Sequence, residues 1–341
     1  MVICCGEALI DMVPEKNAEG RDVYVPCLGG SPYNTAVAAG RLLGKTNGKN
    51  GTAFLARLSG DFFGRELTEN LERNNVSTEL VTRSDQTTTL AFVKLENGQE
   101  PSYIFYTEGA ADRSLVPGDL PPKLPPETTC LQFGSISMTM ESSASTIESL
   151  VLRESAREDG PVISFDPNVR PMMIKNRDAY IRRFETWVKA SDIVKISSAD
   201  FDFIYPGAGL EKSVEKIFAL GSTTGETRVN GGPRLVTVTL GADGATAFRN
   251  GTDGLRVTAP VIDLPVIDTI GAGDTFHGAL LAWLEKNGRM SRKALSGLGE
   301  KELREALIFA NKAASIVCSR KGANPPALAE LEALLPCKAG S

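Results

Sequence analysis

The sequence predicts an α/β fold: a mostly parallel central sheet covered by helices on both faces, with a small β-sheet lid. Short apolar runs alternate with helical patterns almost from end to end of the 341 residues, and glycine-rich or polar loops follow several of these runs. Two polar and aromatic stretches interrupt the alternation. Strands that alternate with helices in this way are typical of a parallel sheet, because each crossover helix lies against a sheet face.

The first elements are a short strand at Val2–Cys5, a glycine-rich turn and a helix at Ser31–Leu43. We expect Ser31 to be the N-cap of that helix and Pro32 to occupy its first position, where a proline costs no hydrogen bond. A strand is predicted at 52–57. Asp61 is then expected to cap a helix that continues to about residue 74.

The later elements repeat this pattern of one strand followed by one helix. Further strands are predicted at 130–133, 162–166, 192–196 and 235–240, and further helices near 141–158, 178–190, 272–286 and 301–318. Residues 115–127 contain five prolines and are predicted to be a stiff connection without regular structure. Residues 44–51 and 223–233 are predicted to be loops.

Two segments do not fit the alternation. Residues 12–28 are polar and extended, and 87–107 resemble a hairpin that turns at Asn97-Gly98. The hairpin carries Phe92, Tyr103 and Phe105, whose rings need a surface to cover. We therefore predict a lid over one end of the sheet, with an edge extension of the main sheet as the alternative.

This interpretation divides the chain into two discontinuous parts. The main domain is expected to comprise 1–11, 31–86 and 108–341. The lid is expected to comprise 12–30 and 87–107.

The composition excludes several classes of protein. The chain has 37 Lys and Arg against 42 Asp and Glu, a net charge of −5, so it is a poor candidate for binding nucleic acid. No apolar run approaches the roughly 20 residues that span a bilayer. The first twelve residues contain Glu7 and Asp11 and lack a basic start, so we expect no signal peptide, no membrane partner and a cytoplasmic protein.

The cysteines and the histidine limit the possible chemistry. The six cysteines form no CxxC pair, which favours free thiols in a reducing compartment over a disulfide framework. His277 is the only histidine, which excludes a multi-histidine metal site. We expect it to be packed or hydrogen-bonded and not catalytic. The chemistry is therefore expected to depend on carboxylates, backbone amides and added cations.

The strongest motif is DTIGAGD, from Asp268 to Asp274, followed by an apolar helical stretch. Gly271, Ala272 and Gly273 allow a tight turn at the helix start, where unpaired N–H groups and the helix dipole favour an anion. Asp274 would repel a phosphate, but a carboxylate here can accept the proton of a hydroxyl that attacks phosphorus. The alternative is that Asp274 only caps the helix.

Three other loops follow predicted strands and offer polar groups. TLGADG leaves a buried strand with two glycines that allow a ring or a phosphate to approach the backbone. FDPNVRP places Arg170 where it could bind a phosphate, or where it could only pair with Asp166. Asp11 and the GGSPYN turn at 29–34 offer a carboxylate, amides and an Asn side chain, which suit the hydroxyls of a polyol. Loops at the carboxyl ends of such strands converge on one crevice.

Taken together, these loops resemble the ribokinase-like (PfkB) family of sugar kinases over essentially the whole chain. The resemblance rests on GGSPYNTAVAAGRL, GDFFG, FDPNVRP, TLGADGA, DTIGAGDTFHGALL and NKAASIVCSRKGA. GEALIDMVP and YTEGAADRSL are especially similar to the fructokinase branch. The resemblance implies a ribokinase-like three-layer sandwich with a small β-sheet lid.

The resemblance also implies roles for individual residues. The implied catalytic residues are Asp274 as the base, Gly271, Ala272 and Gly273 as the anion hole, and Arg170. The implied substrate-binding residues are Asp11, Gly29, Gly30, Asn34, Phe92, Tyr103, Phe105, Asn168, Arg170 and Asp274. The implied ATP-binding residues are Lys195, Asp200, Thr239, Gly241, Gly244, Gly271, Gly273 and Asn311.

ATP, Mg²⁺ and K⁺ are the implied cosubstrate and ions. The residues implied for the monovalent cation are Asp268, Ile270, Val317, Arg320 and Gly322, mainly through their carbonyls. The family's N-x-x-E motif, which organises Mg²⁺ through water, corresponds here to SSAD ending at Asp200, and Pro326 replaces a hydroxyl residue that assists the cation in some relatives.

The implied activity is that of an ATP-dependent sugar kinase, in the first place a fructokinase that forms fructose 6-phosphate. Relatives that act on keto-deoxy-gluconate place an arginine where this chain has Thr107, which favours a neutral sugar. The alternatives are a kinase for another neutral sugar, a nucleoside or 2-keto-3-deoxygluconate, and a sugar- or nucleotide-binding sensor without catalysis. A homodimer through the lid is also expected.

Overall fold

A computed structural model of the chain describes residues 1–94, 102–221 and 231–334. The predicted turn at Asn97-Gly98 and most of the predicted loop at 223–233 lie outside the described residues. In the described part of the chain, none of the helices is both long and apolar enough to cross a membrane.

The strands, in chain order, are β1 (Val2–Cys5), β2 (Leu9–Lys16), β3 (Asp22–Gly29), β4 (Lys45–Thr46), β5 (Lys49–Asn50), β6 (Thr52–Ser59), β7 (Val76–Ser77), β8 (Val81–Ser84), β9 (Leu90–Lys94), β10 (Ser102–Tyr106), β11 (Cys130–Gly134), β12 (Val162–Asp166), β13 (Ile193–Ser197), β14 (Leu235–Thr239), β15 (Ala245–Arg249) and β16 (Arg256–Ala259). The helices are α1 (Ser31–Leu43), α2 (Phe62–Arg73), α3 (Ser143–Ser155), α4 (Arg177–Ala190), α5 (Ser198–Ile204), α6 (Leu210–Gly221), α7 (Ala272–Lys286), α8 (Arg292–Ser296), α9 (Glu300–Cys318) and α10 (Leu328–Ala333).

The central sheet has the order β16-β15-β14-β13-β12-β11-β1-β6-β7, with β8 also paired to β6. The strands from β7 to β14 are parallel, and β15 and β16 add an antiparallel edge. In β1, Val2 and Cys4 face one buried cluster with α1, α7 and α9, whereas Ile3 and Cys5 face a second cluster with α3 and α4. Helices therefore cover both faces, as predicted, and the sheet forms the middle of three layers.

Helix α1 has the predicted bounds, but the prediction that Ser31 is its N-cap is wrong. Gly30 is the N-cap, with φ of 106°, a backbone conformation that favours glycine. The side chain of Ser31 therefore remains available for a contact outside its own helix. At α2 the prediction is confirmed, since Asp61 Oδ1 accepts a hydrogen bond from the Gly64 amide at 2.7 Å.

Several elements were not foreseen. The antiparallel edge β15–β16 and the helices α5, α6, α8 and α10 were not predicted. The predicted loop at 44–51 contains the two-residue strands β4 and β5. The proline-rich connection at 115–127 contains only the short 3-10 helix Pro117–Asp119, as its composition indicates.

The lid is a separate four-stranded sheet with the order β10-β9-β2-β3, so the alternative of an edge extension of the main sheet is wrong. Strand β2 is antiparallel to β3 and parallel to β9. Residue alternation gives the lid two aromatic faces. Tyr103 and Phe105 stack at 5.7 Å on the inner face, whereas Phe92 makes edge contacts with Tyr24 and Tyr106 on the outer face.

Candidate active site

A pocket of about 400 Å³ lies between the lid and the carboxyl ends of the parallel strands. Tyr103 and Phe105 line it from the lid, together with Asp11 on β2. The starts of α1 and α7 and the loop after β12 form the opposite wall. The predicted convergence of loops at this end of the sheet is therefore what the structure has.

The start of α7 forms one side of the pocket. Gly271 is the N-cap with φ of 76°, and a Cβ at this position would lie 2.6 Å from the Ala323 side chain. The first N–H groups of a helix have no partner within the helix, so the turn from Gly271 to Asp274 presents amides to the pocket. A Cβ on Gly273 would lie 3.0 Å from Lys195 Nζ, which places a cation behind the helix start.

Lys195 is buried and paired with a buried carboxylate. Its Nζ lies 2.9 Å from Asp166 Oδ2, and both side chains are almost fully enclosed. Burial acts to lower the pKa of Lys195, but the nearby Asp166 and Asp200 raise it above its ordinary value. The lysine therefore remains charged beside the anion-binding turn.

The Asp274 carboxylate does not cap its own helix. Its Oδ1 accepts a hydrogen bond from Ser31 Oγ at 2.6 Å, and its Oδ2 accepts one from Asn34 Nδ2 at 2.9 Å. Burial raises the pKa of Asp274, while the hydrogen bonds from Ser31 and Asn34 lower it. The carboxylate lines the pocket beside the amide turn, in the position that a general base needs.

Asp11 is a second carboxyl in the pocket. The pKa of Asp11 is raised to about 7, mainly by burial and then by the charge of Asp274, while Arg170 acts in the opposite direction. A Cβ on Gly29 would overlap the Asp11 carboxylate, so the glycine leaves room for this side chain. Asp11 is therefore a carboxyl with a pKa near neutrality that lines the pocket.

Arg170 does not form the local pair with Asp166 that the sequence left open. Its Nη1 donates to Asn168 Oδ1 at 2.8 Å and to the Val169 carbonyl at 3.1 Å. Its guanidinium also lies over the Tyr103 ring, 5.9 Å from the centroid. The loop after β12 thus holds Arg170 at the pocket wall and in contact with the lid.

Most of the predicted sugar-binding residues lie in this pocket. Gly30, Asn34, Asn168 and Tyr103 line it with the residues above. Phe92 does not, because it lies on the outer face of the lid against Tyr24 and Tyr106. The predicted role of Phe92 as a lid contact to the sugar therefore has no support from this geometry.

Of the predicted nucleotide-binding residues, Gly271 and Gly273 line this pocket, whereas Lys195, Asp200, Thr239, Gly241, Gly244 and Asn311 are not among its lining residues. Thr239 ends β14, Gly241 is exposed, and a Cβ at Gly244 would overlap the Ala259 carbonyl. Asn311 is buried and donates to the carbonyls of Ala259 and Pro260 at 2.8 and 3.0 Å. Asn311 therefore ties α9 to the end of β16.

Both carboxylate oxygens of Asp200 accept hydrogen bonds from other residues of the protein. Its Oδ1 accepts from the Val169 amide at 2.7 Å, and its Oδ2 accepts from the amide and hydroxyl of Ser197 at 2.9 and 2.7 Å. Burial and the charge of Asp166 raise its pKa. With both oxygens engaged, Asp200 fits an indirect role toward a metal ion better than direct coordination.

The residues predicted for a monovalent cation are brought together by Asp268. Its Oδ1 accepts from the Ile270 amide and its Oδ2 from the Gly322 amide, each at 2.9 Å. The loop that follows α9 folds back beside it, where the Arg320 amide donates to the Val317 carbonyl. In the described residues there is no cluster of three His, Cys, Asp or Glu side chains for a metal, so any cation here depends largely on carbonyls.

His277 is packed as expected. It is fully buried, and its Nε2 lies 2.7 Å from Ser164 Oγ. Burial, with Lys195 nearby, lowers the pKa of His277 to about 3, so the ring is neutral. It supports the contact of α7 with the sheet.

The sequence reasoning missed Glu7 and the contact made by Ser31. Glu7 is 1% exposed, and its carboxylate accepts from the amides of Ser31 at 3.2 Å and Ser137 at 3.1 Å. The available signal was weak: an acidic residue two positions after a fully apolar strand, of a type that is seldom fully buried. The contacts themselves join segments that are far apart in the chain.

The fold and the pocket define a class of enzyme. A carboxylate beside an anion-binding helix start, next to a pocket lined by hydroxyl-binding groups, is the arrangement of a phosphotransferase that acts on an alcohol. Comparisons with known proteins agree with this class. The family model described as pfkB family carbohydrate kinase matches residues 1–330, and the chain belongs to this family of carbohydrate kinases.

The relatives and solved structures are similar over nearly their whole lengths. The fructokinase of Rhizobium leguminosarum bv. trifolii is 38% identical over 304 residues, covering 89% of this chain and 86% of that protein. The ATP-bound fructokinase structure from Xylella fastidiosa has a TM-score of 0.82 at 28% identity, covering 98% and 97% of the two chains. A double-mutant fructokinase from Vibrio cholerae O395, with fructose, ADP and potassium bound, has a TM-score of 0.80 at 27% identity, covering 98% of each. The resemblance predicted from the motifs is confirmed.

Proposed function

We propose that this carbohydrate kinase is an ATP-dependent fructokinase, which converts D-fructose and ATP into fructose 6-phosphate and ADP. The observation that carries the proposal is the Asp274 carboxylate, which lines the pocket beside the amide turn at Gly271–Gly273. The similarity to fructokinases of several organisms over almost the whole chain supports fructose as the sugar.

In this mechanism Asp274 accepts the proton of the sugar hydroxyl as its oxygen attacks the γ-phosphorus in line. The bond from phosphorus to the new oxygen forms while the bond to the ADP oxygen breaks. The first amides of α7, from Gly271 to Asp274, stabilise the charge on the phosphoryl oxygens, and Lys195 adds positive potential behind them. Arg170 provides a second cation at the pocket wall.

The charges in the pocket favour a neutral sugar. Among the described residues that line it, Glu7, Asp11 and Asp274 carry carboxyl groups and Arg170 is the only cation. The carboxylate of a sugar acid would meet this acidic lining, whereas hydroxyls can donate to Asp11 and accept from Asn34. Thr107 lies outside the pocket, where its carbonyl accepts a hydrogen bond from Arg113. A sugar acid is therefore the weaker alternative, and another neutral sugar or a nucleoside is the stronger one.

The nucleotide is assigned to the surface formed by the end of β14 and the loop after it, where Thr239, Gly241 and Gly244 lie. Gly271 and Gly273 line the sugar pocket and would meet the phosphates there. Mg²⁺, when bound to the phosphates, would supply charge neutralisation there. Asp200 would hold that ion through water, because its own oxygens already accept hydrogen bonds from the protein.

A potassium ion is assigned to the carbonyls around Asp268 and the loop after α9. Oxygen donors of this kind suit a hard monovalent cation. Ile270 and Gly322 are tied to Asp268, and Val317 and Arg320 complete the predicted set. A cation next to the anion hole strengthens its positive field. Pro326, in place of a hydroxyl residue, predicts a weak dependence on the ion.

The outer face of the lid is assigned to a homodimer contact. Ile104 is 64% exposed and Tyr106 63% exposed, and they lie beside Phe92 and Tyr24 on one sheet face. An exposed apolar face of this kind favours association with a second copy. Tyr106→Lys should shift the molecular mass measured by light scattering from dimer to monomer, and a monomeric wild-type protein would refute the contact.

One coupled assay tests the catalytic proposal. ADP release is measured with a panel of fructose, ribose, a nucleoside and keto-deoxy-gluconate, each with and without K⁺. The highest kcat/KM with fructose supports the proposal. Preference for keto-deoxy-gluconate would overturn the substrate, and sugar binding without turnover would favour a sensor.

A further inference from the structure

Ser31 occupies a position that the mechanism above does not use. Its hydroxyl donates to Asp274 Oδ1 at 2.6 Å, the shorter of the two hydrogen bonds to that carboxylate. The side chain is 6% exposed and lies at the first position of α1. Because Gly30 is the N-cap, the Ser31 hydroxyl is not needed for its own helix.

The position of Ser31 is fixed by a buried carboxylate from the end of β1. Glu7 Oε1 accepts the Ser31 amide at 3.2 Å, and its Oε2 accepts both the amide and the hydroxyl of Ser137. A carboxylate at a helix N-terminus satisfies an unpaired amide and interacts well with the dipole. A Cβ on Gly30 would lie 2.6 Å from the Glu7 carbonyl, so the two segments approach as closely as backbones can. Ser31 therefore has little freedom to move.

We propose that Ser31 is a positioning residue for the catalytic base: its hydroxyl holds the Asp274 carboxylate oriented and ionised for the sugar hydroxyl. This inference rests on the proposed kinase function. An ionised carboxylate offers about four acceptor sites. Ser31 and Asn34 use two of them, so the sugar hydroxyl can bind the same carboxylate without displacing either.

The surroundings of Asp274 explain why such a donor is needed. Glu7, Asp11, Tyr103 and Arg170 line the same pocket as Asp274. The buried group of Asp166, Lys195 and His277 lies behind it. Burial raises the pKa of Asp274 and the charge of Asp166 adds to this, whereas Ser31, Asn34 and Lys195 lower it. A base must be ionised before it can accept a proton, so each donor that stabilises the charged form extends the working pH range downward.

The test is the pH profile of kcat/KM for Ser31→Ala. Hydrogen bonds to charged groups are stronger than those between neutral groups, so losing one should move the acidic limb upward by about one pH unit. Turnover at pH 6 should then fall several-fold more than turnover at pH 8. Ser31→Thr keeps the hydroxyl and should return the limb toward the wild-type position.

Thr35→Val is the matched control. Thr35 lies on the same helix, and its hydroxyl donates to the backbone carbonyl of Asp274 at 3.4 Å, not to the carboxylate. The acidic limb of its kcat/KM profile should stay at the wild-type pH, even if its turnover rate changes. An unmoved limb in Ser31→Ala, or an equal shift in Thr35→Val, would overturn the inference. If fructose is not phosphorylated, only the substrate assignment fails, since the limb is then read with the sugar of the panel that is turned over.

Discussion

The two walls of the sugar pocket are built in different ways. The wall of the main domain holds Asp274 through hydrogen bonds of 2.6 and 2.9 Å from Ser31 and Asn34 on a buried helix. The wall of the lid offers Tyr103 and Phe105, which stack on each other at 5.7 Å on a small sheet outside the central core. One wall is fixed by directed polar contacts, and the other contributes apolar area.

Because of this difference, we expect the wall of the main domain to determine catalysis and the wall of the lid to determine sugar affinity. A base must be held in one orientation, which requires hydrogen bonds to elements that do not move. A lid that covers a sugar needs a surface that excludes water and can open. We therefore expect changes in the base wall to reduce kcat and changes in the lid wall to raise KM.

The largest effect is expected for Asp274→Ala in the base wall. Removal of a general base reduces turnover by about 10²–10⁴-fold. Fructose binding, measured by calorimetry, should change little, and the thermal midpoint should stay close to that of the wild type. Near-normal kcat in this variant would end the assignment of Asp274 as the base.

Gly273→Val tests the amide turn of the same wall. The new side chain would begin 3.0 Å from Lys195 Nζ and displace the first amides of α7. Loss of one oxyanion donor reduces kcat by about 10²-fold, and we expect a loss of that size with an unchanged circular dichroism spectrum. Gly118→Val is the control, because nothing lies within 4 Å of its Cβ position and its φ is ordinary. Equal losses in both variants would argue against the anion hole.

Tyr103→Ala tests the lid wall. An aromatic contact of this kind contributes about 1–1.5 kcal/mol, so KM for fructose should rise roughly five- to tenfold while kcat changes less. Ile104→Ala is the matched control on the same strand, because its side chain lies on the outer face. A fall in kcat without a change in KM would contradict the expectation that the lid wall contributes affinity and the base wall contributes catalysis.

Asp11→Asn is expected to give the smallest effect and links the two walls. The charge of Asp274 raises the pKa of Asp11. Because a Coulomb interaction acts equally on both partners, removing the Asp11 charge should in turn lower the pKa of Asp274. The acidic limb of kcat/KM should then move to lower pH by about half a unit. The direction is opposite to that expected for Ser31→Ala. A limb that moves upward would show that the two carboxyls are not coupled as the structure indicates.

Much of the fold could be predicted because local patterns carry it. Buried strands such as Val162–Asp166 are continuous apolar runs, and α7 begins at a glycine turn that few other structures require. The antiparallel edge β15–β16 could not be predicted, since its strands are short and its pairing depends on distant residues.

The candidate site likewise contains residues that local sequence patterns predict and residues that they do not. Asp274, Gly271 and Gly273 are adjacent in sequence and form a recognisable motif. The contacts of Glu7 and Ser31 with groups far along the chain have no local signature. Ser31 even carried a misleading signal, because a serine before a helical stretch usually indicates an N-cap.

The two hydrogen bonds that Asp268 accepts have a consequence for how the protein could be engineered. Its two oxygens join the segment before α7 to the segment after α9, so a single side chain links both segments beside the start of α7. We expect substitutions in residues 319–324 to change turnover more than sugar preference, because none of these residues lines the sugar pocket. Protein engineers could use that remote loop to tune the rate.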